Sequence, residues 1–427
     1  MIPSAPFLWG LASQAASSAT NFGLSLLAGI LLGPRGLGVV FIGFAAYLIA
    51  FAFQRALILD PLVSTSSSSM PPRRLQESRS GLSASLFFAC GAGLGFVAIG
   101  LAIGGDGGHG LLLFAPWVAP ALIQDYWRIV LFRDERGRAG AVNDLSWAIA
   151  MGFGVPIAIT HPSEWTVVSC WGFGATVAML IGFGQTRLLP GRLIEAIGWW
   201  RAQGWPLGRW LAAETLVFTL GAQGLVFVVV PIVGIAAIGG LRAVQTIFAP
   251  LSLLGPALSL PAFPHLARAV RESDTKAQAF SARLGATATA LTGAYVLVSV
   301  VAGGFVLETI FGDRFARFSS LIWPIGIGQI VVATTLGVSL LLKAEGNGRG
   351  LLVSRAVVSV ATIVFALRFA IATGIEGAAW GMTLGAALGA ASLFVIAKRR
   401  HRPRADWNSR PGPSQPVESS EIQQIIP

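Results

Sequence analysis

The chain has 427 residues, of which 54% are hydrophobic and only 11% are charged, and its mean hydropathy is +0.71. Because soluble domains carry roughly 25% charged residues, this composition excludes a water-soluble globular protein and indicates an integral membrane protein. The net charge of +11 would suggest a nucleic-acid partner only if the basic residues were not explained by membrane topology. The only two cysteines, Cys90 and Cys170, lie in apolar segments, so neither a disulfide framework nor a metal site is expected.

Apolar runs of about twenty residues, the length that a helix needs to cross a bilayer, recur along the chain. An outer-membrane barrel would show alternating segments of about ten residues instead. The sequence therefore predicts an all-α polytopic membrane protein with about twelve transmembrane helices. The predicted spans cover residues 7–32, 37–63, 84–104, 110–132, 142–160, 165–186, 208–232, 237–262, 284–308, 318–342, 350–372 and 376–397.

The basic residues are distributed very unevenly between the loops on the two sides of these spans. Of the 30 Lys and Arg residues, 23 fall in one alternating set of loops and adjoining helix ends, which includes the segment after Lys398. The positive-inside rule places this set, and with it both termini, in the cytoplasm of a cell inner or plasma membrane. Because this bias accounts for most of the net charge, no nucleic-acid partner is predicted.

The first two spans are repeated, weakly, 201 residues later in the chain. Gly33 and Gly38 bracket the turn between spans 1 and 2, and Gly234 and Gly239 bracket the turn between spans 7 and 8. Six spans per half would give both halves the same orientation, so the repeat is parallel. The predicted division is a first half at 1–186, a cytoplasmic interfacial linker at 187–207, a second half at 208–397 and a disordered tail at 398–427.

Polar side chains line one face of two equivalent helices. The members of these two stripes are Gln14, Ser18, Asn21 and Ser25 in span 1 and Thr215, Thr219 and Gln223 in span 7. Polar groups inside a membrane are costly and are therefore candidates for function. These stripes predict a hydrated substrate cavity between the halves; the alternative is hydrogen bonding that holds neighbouring helices together.

Four arginines lie inside predicted spans. Arg55 and Arg128 fall toward the cytoplasmic ends, and Arg242 and Arg368 fall toward the outer ends. Because the guanidinium group binds phosphate through a planar fork, arginines at both levels would suit a substrate with a pyrophosphate group. Arg242 and Arg368 are the better candidates, since their own helices offer no nearby acidic partner apart from a glutamate beyond the end of span 11.

Carboxylates inside predicted spans could couple transport to a proton or Na⁺. Glu214 is notable because no basic residue lies within one helical turn on either side. The alternative for these carboxylates is a structural ion pair, and Arg55 has Asp60 nearby for this purpose. Arg128 could pair in the same way with Asp125 or with Asp144. The candidates for ion coupling are Asp125, Asp144 and Glu214.

Three local stretches carry a resemblance to a known family. They are the Gly-Pro-Arg-Gly-Leu-Gly turn at 33–38, the segment 124–132 with Asn143-Asp144 and Trp147, and the segments 342–346 and 374–381. Together with twelve spans in two halves, they resemble the multidrug/oligosaccharidyl-lipid/polysaccharide (MOP) exporter superfamily. The second stretch is similar to polysaccharide transporters of the O-antigen flippase type.

This resemblance implies a MATE-like, V-shaped bundle with a cavity that opens alternately to each side. It implies translocation of a polyprenyl-pyrophosphate-linked saccharide, with a polysaccharide polymerase or glycosyltransferases as possible partners. Aromatic residues such as Trp117, Tyr126 and Trp127 could then stack on sugars or line the cavity wall. Peptidoglycan-precursor flippases of the superfamily have arginines in the first helix, whereas residues 7–32 contain none, which argues against lipid II as the substrate.

Two other functions stay open. One is a cation-coupled multidrug exporter of the same superfamily, and the other is a non-transporting membrane scaffold of a polysaccharide assembly complex. An enzyme is not expected, because the outer loops are too short to hold a catalytic fold and no carboxylate cluster is visible. No cofactor is predicted.

Overall fold

Every regular element in residues 5–66 and 70–399, the part of the chain that this computed structural model describes, is a helix. The first half contains α1 (Ala5–Gln54), α2 (Asp60–Ser66), α3 (Pro71–Ile103), α4 (Gly105–Arg133), α5 (Gly137–Thr160) and α6 (Glu164–Thr186). The remainder contains α7 (Leu193–Trp199), α8 (Trp205–Thr219), α9 (Leu225–Val233), α10 (Ile235–Ile247), α11 (Leu251–Glu272), α12 (Asp274–Phe311), α13 (Ile322–Thr334), α14 (Leu336–Ala344) and α15 (Gly348–Lys398).

Short irregular turns join several of these helices end to end. Three π-helical turns lie at Arg55–Leu59, Trp200–Gly204 and Leu220–Gly224, and a 3₁₀ segment lies at Asp313–Leu321. Most predicted spans thus fall on one helix or on helices joined in this way, whereas the span predicted at 237–262 crosses from α10 to α11 through a bend, and the span predicted at 318–342 crosses from α13 to α14 through a turn at Thr335. Most of the predicted tail, from residue 400 onward, lies outside the described residues.

Glycines with positive φ separate the first two spans and the last two. Gly33 in α1 has φ 73°, and Gly374 in α15 has φ 70°. A side chain would strain either backbone, so glycine allows a sharp change of direction without a loop. By length and composition, seven helical stretches of the described chain could cross a membrane, or eight if the pair Ile235–Ile247 and Leu251–Ser259, bent by 44°, counts as one span. Two of the seven each contain two predicted spans, since they run through these glycines.

The linker does not form a separate short helix. The helix that begins at Leu193 continues through the π-helical turn Trp200–Gly204 into α8, so the predicted interfacial segment and span 7 are one continuous helical stretch. Trp200 and Trp205, which follow the ends of α7 and of the π-helical turn, both have right-handed helical backbone angles, so the helix does not break at either residue. The boundaries of the linker and of the two halves stay predictions.

The core of the first half is built from large aromatic side chains packed on glycines. Trp127 and Trp171 are fully buried, and a Cβ on Gly182 would overlap the Trp127 ring. Small residues allow helices to approach closely in a membrane, where van der Waals packing replaces the hydrophobic effect as the force between helices. This packing fixes α4 against α6 and thereby sets which side chains of α4 meet α1 and α5.

Candidate functional site

The two repeated turns contact each other, and the contact is reciprocal. Gly38 packs on the carbonyl of Ile235, while Gly239 packs on the carbonyl of Pro34, and a Cβ on either glycine would overlap the opposing backbone. Pro34 and Ile235 are 201 residues apart, as are Gly38 and Gly239. The contact therefore repeats itself about a local two-fold axis between the halves, as an isologous interface does.

One helical turn further along, the same axis brings Phe41 and Arg242 together, and these residues are also 201 apart. The Arg242 guanidinium carbon lies 4.8 Å from the centroid of the Phe41 ring and 5.6 Å from that of Phe44. Both distances are within the range of a cation–π interaction. Arg242 is half-buried, so the fold places a cation at the contact between the halves.

A hydrogen-bonded chain links Arg242 to the polar face of the first span. Arg242 Nε donates to Ser25 Oγ at 3.1 Å, and Ser25 Oγ donates to the Asn21 carbonyl at 3.2 Å. Among the described residues, no carboxylate lies within 4.0 Å of the Arg242 side chain. Its charge is met by a neutral hydroxyl and by aromatic faces alone.

Arg242 also lines a small cavity of about 110 Å³ together with Gln223 and Gln245. The remaining wall is apolar and comes from α9, α10, α15 and Phe41 of the first half. Arg242 is the only charged side chain among its described lining residues. Ligand pockets usually measure about 300–1,000 Å³, so this cavity is too small to hold a saccharide in this conformation.

Arg368 does not line this cavity. It is exposed on α15, on the helix face that also carries the exposed side chains of Val364 and Ile371. No ion pair or side-chain hydrogen bond of Arg368 is present among the described residues. Its assignment as a phosphate contact stays a prediction, and the structure groups Arg242 with Gln223 instead.

Arg55 forms a two-pronged ion pair with Asp125 of α4. Nη2 and Nε lie 2.6 and 2.8 Å from the two carboxylate oxygens, and the guanidinium also stacks over Phe51 at 4.6 Å. Asp125 is 2% exposed. The ion pair of Arg55 is therefore with Asp125 and not with Asp60, the alternative that the sequence offered, because α4 packs against α1 at this level.

Arg128 lies between Asp144 and Gln14. Its Nε is 3.6 Å from an Asp144 oxygen, and Nη2 donates to Gln14 Oε1 at 3.1 Å. The Asp144 carboxylate also accepts hydrogen bonds from Ser13 Oγ and, at 2.6 Å, from Gln124 Nε2. Of the two partners predicted for Arg128, Asp144 is the one that the structure shows, and the buried carboxylate accepts two hydrogen bonds in addition to its ion pair with Arg128.

The sequence did not single out Gln124 and Asn143 as members of this network. Gln124 Nε2 lies 3.1 Å from Asn143 Oδ1, and Asn143 Nδ2 donates to the Ala178 carbonyl at 2.8 Å. Asn143 also reaches Gln185 Oε1 at 3.3 Å. The sequence feature that could have identified them is their position, because each amide immediately precedes a carboxylate inside an apolar segment.

Glu214 is paired across the second half. Arg355 Nη1 lies 2.6 Å from Glu214 Oε1, and the Arg355 guanidinium stacks at 5.2 Å over Phe218. Glu214 has no basic neighbour on its own helix, but α15 supplies a partner 141 residues away that no local pattern reveals. The ion-coupling roles of Glu214, Asp125 and Asp144 stay predictions.

Two of the aromatic residues expected to line a cavity belong to the core. Tyr126 and Trp127 are both 0% exposed, with the Tyr126 hydroxyl donating to the Ser78 carbonyl and Trp127 edge-on to Phe183 at 4.7 Å. They cannot stack on a sugar in this conformation, because α3 covers Tyr126 and α6 covers Trp127.

Similar solved structures are transporters that share this arrangement of helices. "Lipid II flippase MurJ, inward closed conformation" aligns over 92% of this chain and 87% of its own, with TM-score 0.73 and 11% identity. The inward-facing conformation of a multidrug-resistance MATE family transporter of the MOP superfamily aligns over 90% and 94%, with TM-score 0.73 and 13% identity. A MOP superfamily transporter from Pyrococcus furiosus aligns over 92% and 93%, with TM-score 0.54 and 13% identity.

The chain shares the fold of these transporters. This agreement confirms the all-α polytopic membrane architecture and the resemblance of its fold to that of the superfamily. No protein-family model matches the chain, and no curated protein matches it by sequence. At 11–13% identity the likeness is one of fold, and the substrate has to be argued from the residues of this chain.

Proposed function

We propose that the protein translocates a polyprenyl-pyrophosphate-linked oligosaccharide or polysaccharide intermediate across a cell membrane by alternating access. The observation that carries this proposal is Arg242, a half-buried cation that has no carboxylate partner within residues 5–66 and 70–399 and is located where the two halves meet. A buried charge that is not neutralised favours an anionic ligand. Phosphate is such a ligand, and it matches the planar donor fork of arginine.

In this mechanism the saccharide and its pyrophosphate enter between the halves from the cytoplasm, while the lipid tail stays in the bilayer. Phosphate oxygens accept the guanidinium hydrogen bonds at Arg242, and Gln223 and Gln245 offer amide donors beside it. Binding in the outward-open state requires separation of the reciprocal contacts at Gly38 and Gly239. Rocking of the halves about this contact then exposes the head group on the other side.

The buried pairs of the first half have a different role in this proposal. Arg55–Asp125 and Arg128–Asp144 are neutralised within the half, so they fix the packing of α1, α4 and α5. We place the protein in the inner or plasma membrane with cytoplasmic termini, on the distribution of basic residues. A polymerase or glycosyltransferases remain proposed partners, and catalysis by this chain is not proposed.

The test is transport of a polyprenyl-pyrophosphate oligosaccharide in proteoliposomes, detected by access of an external glycan-cleaving enzyme. Hydrogen bonds to charged groups contribute about 1.5–3 kcal/mol, so Arg242→Ala should slow transport by roughly ten- to a hundredfold and Arg242→Lys by less. Arg368→Ala tests the second predicted phosphate contact. Arg209→Ala, at an exposed position, is the matched control and should leave the rate unchanged.

Two results would contradict the proposal. Transport at the normal rate by Arg242→Ala would contradict the assignment of Arg242 as the phosphate contact, although the proposed transport function would still stand. A wild-type protein that does not transport the saccharide, but expels a cationic dye when a proton or Na⁺ gradient is applied, would be a multidrug exporter. The MATE-like fold and the carboxylates Asp125 and Asp144 favour this second candidate. If the protein shows neither of these two activities, the result would favour the non-transporting scaffold.

A further inference from the structure

An apolar cavity of about 380 Å³ lies where the linker meets the first half, away from Arg242. Ile58, Ala84 and Phe88 line its wall from the second and third spans, and Ile197 lines it from α7. Arg201 is the only charged side chain among the described lining residues. The cavity is therefore an apolar slot with a single cation.

The slot is formed by rigid, specific contacts. Trp200 Nε1 donates to the Leu57 carbonyl at 3.1 Å, and the Trp200 ring packs against Trp205 at 5.2 Å. A Cβ on Gly208 would lie 3.1 Å from that same carbonyl. Leu57 and Trp200 each belong to a π-helical turn, and such turns occur frequently at functional sites.

The surroundings of the slot match a membrane interface. Phe87 and Leu193, which line it, are 69% and 48% exposed, so its rim is apolar. Arg201 is exposed, and among the described residues no carboxylate lies within 4.0 Å of it. Arg79 and Arg192 line a neighbouring cavity of about 290 Å³ together with a single carboxylate, that of Glu195.

We infer that this slot binds one acyl chain of an anionic phospholipid, with the lipid phosphate at Arg201. The apolar wall suits a hydrocarbon chain, and the unneutralised guanidinium at the rim favours a negative head group over a zwitterionic one. The site joins the linker to the second span through Leu57 and Trp200. A bound lipid therefore stabilises the contact between the linker and the first half, independently of the transported substrate.

Native mass spectrometry of the purified, delipidated full chain tests this site with phosphatidylglycerol and phosphatidylcholine as probes. We expect phosphatidylglycerol to bind more tightly than phosphatidylcholine. Each basic group near a membrane surface contributes about 1 kcal/mol to binding of anionic lipid, so Arg201→Glu should weaken phosphatidylglycerol binding at least about fivefold. Ala84→Trp should lower retention of both lipids by filling the slot.

Cys90→Trp, at an exposed position on the same helix, is the matched control and should retain lipid as the wild type does. Equal binding of the two lipids, or unchanged retention in Ala84→Trp, would overturn the inference. A second measurement uses phospholipid brominated on the acyl chain, which should quench more tryptophan fluorescence in the wild type than in Trp200→Phe. Equal quenching in the two proteins would also overturn it.

Discussion

The two turns that begin at Gly33 and Gly234 have the same backbone but different side chains beyond them. Both glycines have positive φ, at 73° and 81°, and each turn packs a glycine on the backbone of the other. Beyond the turns, the equivalent positions hold Phe41 and Arg242. The backbone is thus repeated, while the charge is present in only one copy.

The two-fold axis gives a physical reason for this difference. Residues at equivalent positions near such an axis contact each other, so an arginine in both copies would place two like charges side by side. With Phe41 opposite Arg242, the cation meets an aromatic face at 4.8 Å instead. One unpaired positive charge at the centre is therefore compatible with a symmetric backbone.

The arginines of the first half differ from Arg242 because their charges are neutralised by carboxylates. Arg55 and Arg128 have carboxylate partners in Asp125 and Asp144, whereas Arg242 has none among the described residues. Removal of a partner should therefore destabilise the first half, and removal of Arg242 should mainly affect binding. The experiments below test this contrast, from the largest expected effect to the smallest.

Asp125→Ala should cost the most stability. It would leave the half-buried Arg55 without its partner, and breaking a buried pair costs about 3 kcal/mol. Thermal unfolding of the detergent-solubilised protein measures the loss. Arg242→Ala, which breaks no ion pair, is the comparison and should change the unfolding temperature much less; equal losses would mean that Arg242 is also a structural cation.

Gly239→Val should weaken the contact between the halves. The new side chain would overlap the Pro34 carbonyl, and overpacking of this kind costs about 1–3 kcal/mol. Spin labels at Arg35 and Arg317, in a background without native cysteines, should report longer distances between the halves by pulsed electron paramagnetic resonance.

Gly91→Val is the matched control for this experiment. No atom outside its own helix lies within 4 Å of a Cβ at Gly91, so this substitution has the same helix propensity cost without the overlap. It should leave the label distances unchanged. If both variants behave alike, the reciprocal glycine contact does not hold the halves together.

Phe41→Leu should have a smaller effect, because it removes the aromatic face but keeps an apolar side chain. A cation–π interaction is worth about 0.5–2 kcal/mol. A double-mutant cycle with Arg242→Met, followed by unfolding, should give a coupling energy in this range. A coupling energy of zero would show that the two residues are neighbours without a favourable interaction.

The smallest effect is expected at the outer pair Arg35–Asp106. Arg35 Nε donates to Asp106 Oδ2 at 2.8 Å, and this hydrogen bond lowers the pKa of Asp106 below its ordinary value of 3.8. The pair therefore contributes stability above pH 3.8 and loses it as the pH falls through the lower folded-state pKa. Asp106→Asn should be slightly less stable than the wild type at pH 7, and the difference should vanish in acid; a constant difference would contradict this origin.

The membrane-spanning helices and the repeated turns could be predicted from the sequence because both depend on local properties. About twenty apolar residues specify a spanning helix in any context, and a glycine with positive φ imposes its turn on the adjacent backbone. The spacing of 201 residues between Gly33 and Gly234 was enough to find the repeat. Arg242 was also identified correctly as a cation without a local acidic partner.

Only the tertiary structure decided which charges are neutralised. Arg55 and Asp125 are 70 residues apart, and Glu214 and Arg355 are 141 apart. Whether such groups meet depends on how each helix is rotated about its axis, and a π-helical turn or a buried glycine changes that rotation. For the same reason Tyr126 and Trp127 became core residues instead of cavity walls. The sequence by itself therefore determined the helices and their repeat, while packing between helices determined which charged side chains have a carboxylate partner among the described residues.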